Sequence, residues 1–157
     1  MVLSVCISFY RDWQLKTYIL KKEDVTRQWY LLNAKDRVLG RLATQAANLL
    51  MGKGKPEFVR FMDVGDFVIV INAEKVRLTG QKMDQKMYRH HTLYIGHLKE
   101  ESARHRMRRK PELVLREAIE GMLPKNKLGK ALAKKLKVYA GEQHPHIAQS
   151  PMILTAE

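Results

Sequence analysis

A single cysteine, Cys6, stands in the 157 residues of the chain. One thiol excludes an intramolecular disulfide framework and any zinc site built on several cysteines, and it fits a reducing compartment. Long apolar runs are also missing. The opening segment is interrupted by Ser4 and Ser8 and then by Arg11 and Asp12, so nothing approaches the roughly 20 residues that a membrane-spanning helix requires. That opening has no basic stretch before its apolar residues and no small-residue cleavage site after them, which argues against a secretory signal and for a cytosolic protein. Acidic residues are scarce beside basic ones, 16 Asp and Glu against 29 Lys and Arg, for a formal net charge of +13. The remainder is ordinary: 45% hydrophobic and 29% charged residues place the chain among folded globular proteins rather than disordered ones. A chain of this length fills one core and leaves little for a second, so one domain is expected.

Residues 1–28 show no sustained period and read as an N-terminal arm, residues 29–143 as a single α/β domain, and residues 144–157 as an irregular tail. Trp29-Tyr30-Leu31-Leu32-Asn33 suits a buried strand. Over residues 41–51, Leu42, Ala46 and Leu49 or Leu50 recur at three to four, with Thr44, Gln45 and Asn48 on the other side; this is an amphipathic helix stopped by Gly52 and Gly54. Phe67-Val68-Ile69-Val70-Ile71 is continuously apolar and β-branched, as a strand covered on both faces must be. Strand, helix, strand in this order reads as a right-handed βαβ unit with parallel strands. Residues 75–79 alternate like a third strand, and residues 86–92 are a further extended segment. Pro111 sits where a first helical turn tolerates it, with Leu115, Ile119 and Met122 on the apolar face of that helix. A second helix is expected to place Leu128, Ala131, Leu132 and Leu136 on one side and lysines around the rest. Residues 138–140 are a last strand.

Between positions 104 and 137 there are twelve Lys or Arg and only three Glu. The excess charge is therefore localised. A solvated helix face normally mixes signs, whereas the segment from Leu128 to Lys137 contains no acid, so its self-repulsion calls for an external polyanion. Nucleic acid is the best fit, because counterion release favours each neutralising contact. RNA ranks above DNA, since the basic residues are spread over loops and one helix and no DNA-reading zinc finger or zipper is present.

Small-molecule chemistry is poorly supported. Gly52-Lys53-Gly54-Lys55 lacks the third glycine of a dinucleotide fingerprint and the Gly-Lys-Ser/Thr of a P-loop, so it is a candidate RNA-phosphate contact only. His90 and His91 are adjacent on an extended segment and point to opposite faces, which prevents joint chelation of one ion. His144 and His146 have no obvious third ligand and are expected near phosphate. Asp63 and Asp66 read as turn and strand-entry residues rather than a catalytic pair. Tyr88, Tyr94 and Tyr139 are candidates for base stacking or for the core. No cofactor or metal is expected.

An ordered series of motifs runs through the chain: Trp29-Tyr30, Leu39-Gly40-Arg41-Leu42-Ala43, Gly65-Asp66, Val70-Ile71-Asn72-Ala73-Glu74-Lys75-Val76, Thr79-Gly80, residues 88–92, Gly121-Met122-Leu123-Pro124, Gly129-Lys130, and Leu136-Lys137-Val138-Tyr139-Ala140-Gly141. From about residue 15 to residue 150, this series resembles the family of the thirteenth protein of the large ribosomal subunit, bacterial type. The resemblance implies a three-layer α/β/α domain around a small, mostly parallel sheet of about four strands, with a basic C-terminal helix. It also implies a non-enzymatic constituent of the cytoplasmic ribosome. Such a protein binds large-subunit rRNA beside neighbouring large-subunit proteins and acts early in subunit assembly. The rRNA-facing positions it implies are Lys53 and Lys55, His90 and His91, and Lys125, Lys127, Lys130, Lys134, Lys135 and Lys137 around the Gly-Met-Leu-Pro loop and its helix. A free-standing RNA-binding translational regulator and an RNA-processing enzyme are the alternative classes. Three departures stand out. Leu93-Tyr94-Ile95-Gly96-His97 is bulkier than the family's small glycine-rich turn, Glu120 replaces a basic or aliphatic residue, and residues 1–14 precede the common family start near Lys16-Thr17-Tyr18.

Overall fold

The computed structural model describes residues 20–154. Strand β1 (Trp29–Asn33) leads into helix α1 (Leu39–Met51) and strand β2 (Phe67–Ile71). A short helix α2 (Lys82–Gln85) and strands β3 (Met87–His91) and β4 (Leu98–Ser102) follow. Helices α3 (Ala103–Arg109), α4 (Pro111–Glu120) and α5 (Lys127–Ala133) then precede strands β5 (Leu136–Val138) and β6 (Met152–Leu154). The main sheet has four strands in the order β5-β2-β1-β6, all neighbours parallel. β3 and β4 form a separate antiparallel hairpin.

The expected βαβ unit is present, with Trp29 opposite Phe67 and Asn33 opposite Ile71. Helix α1 buries Leu39, Leu42, Ala43, Ala46, Ala47 and Leu50, the stripe that a 3.6-residue period produces. Gly52 ends it in the left-handed region at φ 74°, where a residue without a β-carbon is favoured. The steps from β1 to β2 and from β2 to β5 run in one direction across the sheet, so right-handed crossovers put their helices on one face. Residues of α1, α4 and α5 accordingly share a single core with Leu32, Val68 and Val70. The step from β5 back to β6 reverses direction and sends its connection over the other face. There Leu31, Ile69 and Ile71 are buried with Trp29 and Tyr139. The Trp29 ring stacks on Phe67 at 4.3 Å, and His146 lies 5.3 Å from Trp29. Among the described residues no helix contributes to this second cluster. Burial on both faces is why β2 is apolar throughout.

Four expectations are corrected. Residues 75–79 do not form a strand: a 3₁₀ turn occupies Ala73–Lys75, and only one bridge, Val38 to Arg77, follows. Val38 is the residue from which α1 starts, so the chain turns away after donating from Leu39 N to Arg77 O at 3.0 Å. Leu136 belongs to β5 rather than to the preceding helix, so the strand expected over residues 138–140 spans Leu136–Val138 instead, at one edge of the sheet. The tail is not wholly irregular, since β6 pairs with β1 from Tyr30 to Leu32. Met122 lies beyond α4 and is exposed.

Candidate nucleic-acid interface

Helix α4 ends at Gly121, and the loop that follows is folded tightly onto α5. Asn126 caps α5, its Oδ1 accepting from Gly129 N at 2.8 Å, which satisfies one of the amides that a helix start leaves free. Gly129 approaches Pro124 so closely that a β-carbon would lie 1.7 Å from the Pro124 carbonyl oxygen. The spacing of the Gly-Met-Leu-Pro motif to Gly129 is thus a packing requirement. The loop and helix hold Lys125, Lys127, Lys130 and Lys134 exposed.

Lys130 and Lys134 are four residues apart, one turn above the other on one face. They line a groove with Arg116, Lys137 and Glu120. Lys125 joins Lys130 in an adjoining groove beside Pro124. Lys53, exposed after α1, lines a third groove with Arg60 and Pro124, so the end of α1 and this loop share one surface. Among the described residues, no carboxylate lies within 4.0 Å of the ammonium of any of these six lysines, and Glu120 pairs with none of them. A concave surface on which cations far outnumber the one carboxylate, Glu120, focuses a positive potential on an incoming anion. Sequence reasoning omitted two basic groove residues, Arg60 and Arg116. Arg116 was hidden because it is one isolated cation on a helix otherwise read for its apolar face.

The basic block from 104 to 137 is divided by the fold. On α3, Arg104 pairs with Asp84 at 2.9 Å, Arg109 with Glu101 at 2.9 Å, and Arg106 with Glu117. These arginines are neutralised within the chain. The lysines after residue 124 are not, with one exception.

That exception is Lys135, and Lys55 behaves similarly. Lys135 is 6% exposed, and its ammonium donates to Asp63 Oδ1 and, at 2.9 Å, to the Gly65 carbonyl. Lys55 Nζ donates to Asp66 Oδ1 at 2.6 Å, to Thr26 O at 2.8 Å and to Val64 O at 3.1 Å. Both heads therefore tie the loop before β2 to its surroundings, and both are corrected from phosphate contacts to internal links. Asp63 and Asp66 are their partners, which leaves no free carboxylate pair at this position. Burial pushes the Lys135 pKa below its usual 10.5, against the opposing pull of the Asp63 hydrogen bond and charge. Between that lowered value and 10.5 the unfolded chain binds more protons than the native one, so this group makes stability rise with pH. In chemical unfolding series, the stability of wild type relative to Lys135→Met is expected to increase as pH climbs toward 10.5. A difference that is flat or falls would show that the ammonium is not desolvated.

His90 and His91 lie on the β3–β4 hairpin, a separate element from the lysine surface. Both are exposed. His91 Nδ1 accepts from Leu93 N at 3.0 Å, so only its Nε2 is left for an outside group. His146 is turned inward, Nε2 lying 2.8 Å from the Tyr139 hydroxyl, a correction to its expected place near phosphate. Of the three candidate stacking tyrosines, Tyr139 is engaged in this way. Tyr88 packs on the core with Arg106 4.4 Å from its ring centroid. Only Tyr94 is exposed, at 73%. Among the described residues no cluster of three metal-ligating side chains occurs, and no helix is long and apolar enough to cross a membrane.

The fold and this surface define a small basic α/β protein with an unneutralised lysine face. Comparison with known families is specific: the model of the family described as ribosomal protein L13 matches residues 27–145. Proteins named large ribosomal subunit protein uL13 are similar over nearly their whole length. The one from Maridesulfovibrio salexigens is 55% identical over 140 residues, covering 89% of this chain and 99% of its own. Those from Finegoldia magna and Geobacter sulfurreducens are 55% and 54% identical, covering 89% and 88% of this chain and 98% and 96% of theirs. The chain belongs to the ribosomal protein L13 family, and it is a ribosomal protein rather than an enzyme.

Proposed function

We propose that this protein is a structural constituent of the large subunit of the cytoplasmic ribosome, where it binds large-subunit rRNA, meets neighbouring ribosomal proteins and acts early in assembly. The observation that carries the rRNA-binding part is the set of grooves lined by Lys53, Lys125, Lys130, Lys134 and Lys137, with Lys127 exposed at the start of α5, none of these lysines having a carboxylate partner within the described chain. Folded RNA presents phosphates at the density that such a surface matches, and reading by shape needs no base-specific pocket. The surface works by neutralising converging phosphates of two RNA segments and so holding them in register.

Sedimentation of lysate at low magnesium after a high-salt wash tests the placement. The protein is expected to travel with the large subunit, and recovery at the top of the gradient would overturn the proposal. With roughly 6–10 phosphate contacts, affinity for purified large-subunit rRNA is expected to fall by about 10³ to 10⁵ between 50 and 200 mM salt. A flat salt response would exclude the lysine surface as the binding face.

A further inference from the structure

We propose that the tip of the β3–β4 hairpin is an apolar wedge that inserts between unpaired bases of the rRNA, an inference that rests on the rRNA-binding reading above. Leu93 is 92% exposed, Tyr94 73% and Ile95 fully. Three consecutive large apolar side chains in solvent mark a contact surface on a soluble protein.

The tip is held in shape rather than loose. Thr92 N donates to His97 O at 3.3 Å, and His97 N donates to Tyr94 O at 3.2 Å. The His91 ring takes the Leu93 amide, and Leu93 sits in the left-handed region at φ 73°. A leucine persists there only when its surroundings fix it. The side chains are thus ordered before any partner arrives, which lowers the entropic cost of insertion. Tyr94 and His97 are tilted at 51° with centroids 6.1 Å apart, so the aliphatic pair is accompanied by two aromatic faces.

Charge selects the occupant. Residues 87–99 contain no Asp or Glu, but they include Arg89, Lys99 and three histidines. Arg89 is matched by Glu100 at 2.6 Å, whereas Lys99, opposite His90, has no carboxylate partner among the described residues. An apolar pocket on a protein would account for the tip alone. Unpaired bases flanked by phosphates account for both the tip and its cationic stem. Aliphatic side chains wedge between bases, and aromatic ones stack on those that are splayed out.

The test uses the full chain and rRNA extracted from large subunits, with binding titrated at two salt concentrations and base accessibility probed chemically. Leu93→Asn, Tyr94→Ser and Ile95→Ser are combined, Asn being chosen because it tolerates the left-handed backbone. Binding is expected to weaken about five- to hundredfold, as loss of base stacking does. The salt slope should stay unchanged, since no phosphate contact is removed, and protection of a small group of unpaired bases should vanish. Tyr94→Phe should retain both affinity and protection. Equal affinity and an identical footprint for the triple variant would overturn the wedge, as would selective loss of a neighbouring ribosomal protein from subunits carrying it. If charge reversal at Lys130 and Lys134 weakens binding while the tip variant does not, the rRNA-binding reading stands and the wedge alone fails. If wild type does not bind rRNA, both fail together.

Discussion

Replacing Lys130 and Lys134 together by glutamate is expected to weaken rRNA binding more than a hundredfold while leaving the fold intact. The two side chains stand one turn apart on the same groove, with Arg116 and Lys137 beside them. Neither has a carboxylate partner among the described residues, so reversal breaks no internal ion pair. A charge-assisted hydrogen bond to phosphate contributes about 1.5 kcal/mol or more, so two lost contacts come to ~3 kcal/mol before the new repulsion from two glutamates is added. The salt slope should fall by about 2, because two fewer counterions are released on binding. Filter-binding titrations against salt, with circular dichroism as the control for folding, measure both. Reversing Lys135 instead would place a carboxylate beside Asp63, and the expected loss there is of stability. Unchanged affinity in the Lys130 and Lys134 variant would remove the α5 groove from the RNA-binding surface.

Gly65→Ala should strongly destabilise the fold. A β-carbon at Gly65 would lie 1.6 Å from the Leu50 carbonyl oxygen and 2.4 Å from its carbon, both in the last turn of α1. No flexible side chain is there to yield, so the loop or the helix end must move. The same loop carries Asp66 N to Leu49 O at 3.1 Å, Lys135 Nζ to Gly65 O at 2.9 Å and Lys55 Nζ to Val64 O at 3.1 Å. A shift large enough to admit the methyl group weakens all three. Breaking such a buried network costs about 3 kcal/mol or more, against a total of roughly 5–15 kcal/mol for a domain. For a chain of this size that lowers the melting midpoint by roughly 6–12 °C. Gly40 is the internal control. It lies in α1, and a β-carbon there would meet nothing within 4 Å, so Gly40→Ala should be neutral or stabilising by up to about 1 kcal/mol. Similar urea midpoints for the two alanine variants would refute the close-approach argument.

The contrast between these glycines shows what a single sequence conveys. Both occur in short motifs, and nothing in their immediate neighbours separates one that packs under a helix end from one that faces solvent. The elements themselves were more legible. β1 and β2 have the bounds that their apolar runs suggested, and α1 follows its three-to-four spacing. Those signals are local, arising from side-chain direction along a strand or helix. Residues 75–79 have the alternation of a strand but no partner beyond Val38, since pairing depends on where another segment runs.

Charge divides in the same way. Its sign, amount and concentration after residue 103 were set by composition and order. Which cations stay free was decided by tertiary contacts. Lys134 and Lys135 are neighbours in sequence, yet one is exposed and the other is drawn inward by Asp63, 72 positions away. Likewise Arg104, Arg106 and Arg109 are quenched by Asp84, Glu117 and Glu101 from other elements or the hairpin end. Sequence alone determined the α/β architecture, the basic character and the family, because periodicity, composition and motif order are properties of the chain. Only the tertiary structure decided which lysines face outward, because an ammonium remains available to phosphate only where folding brings no carboxylate or carbonyl to meet it.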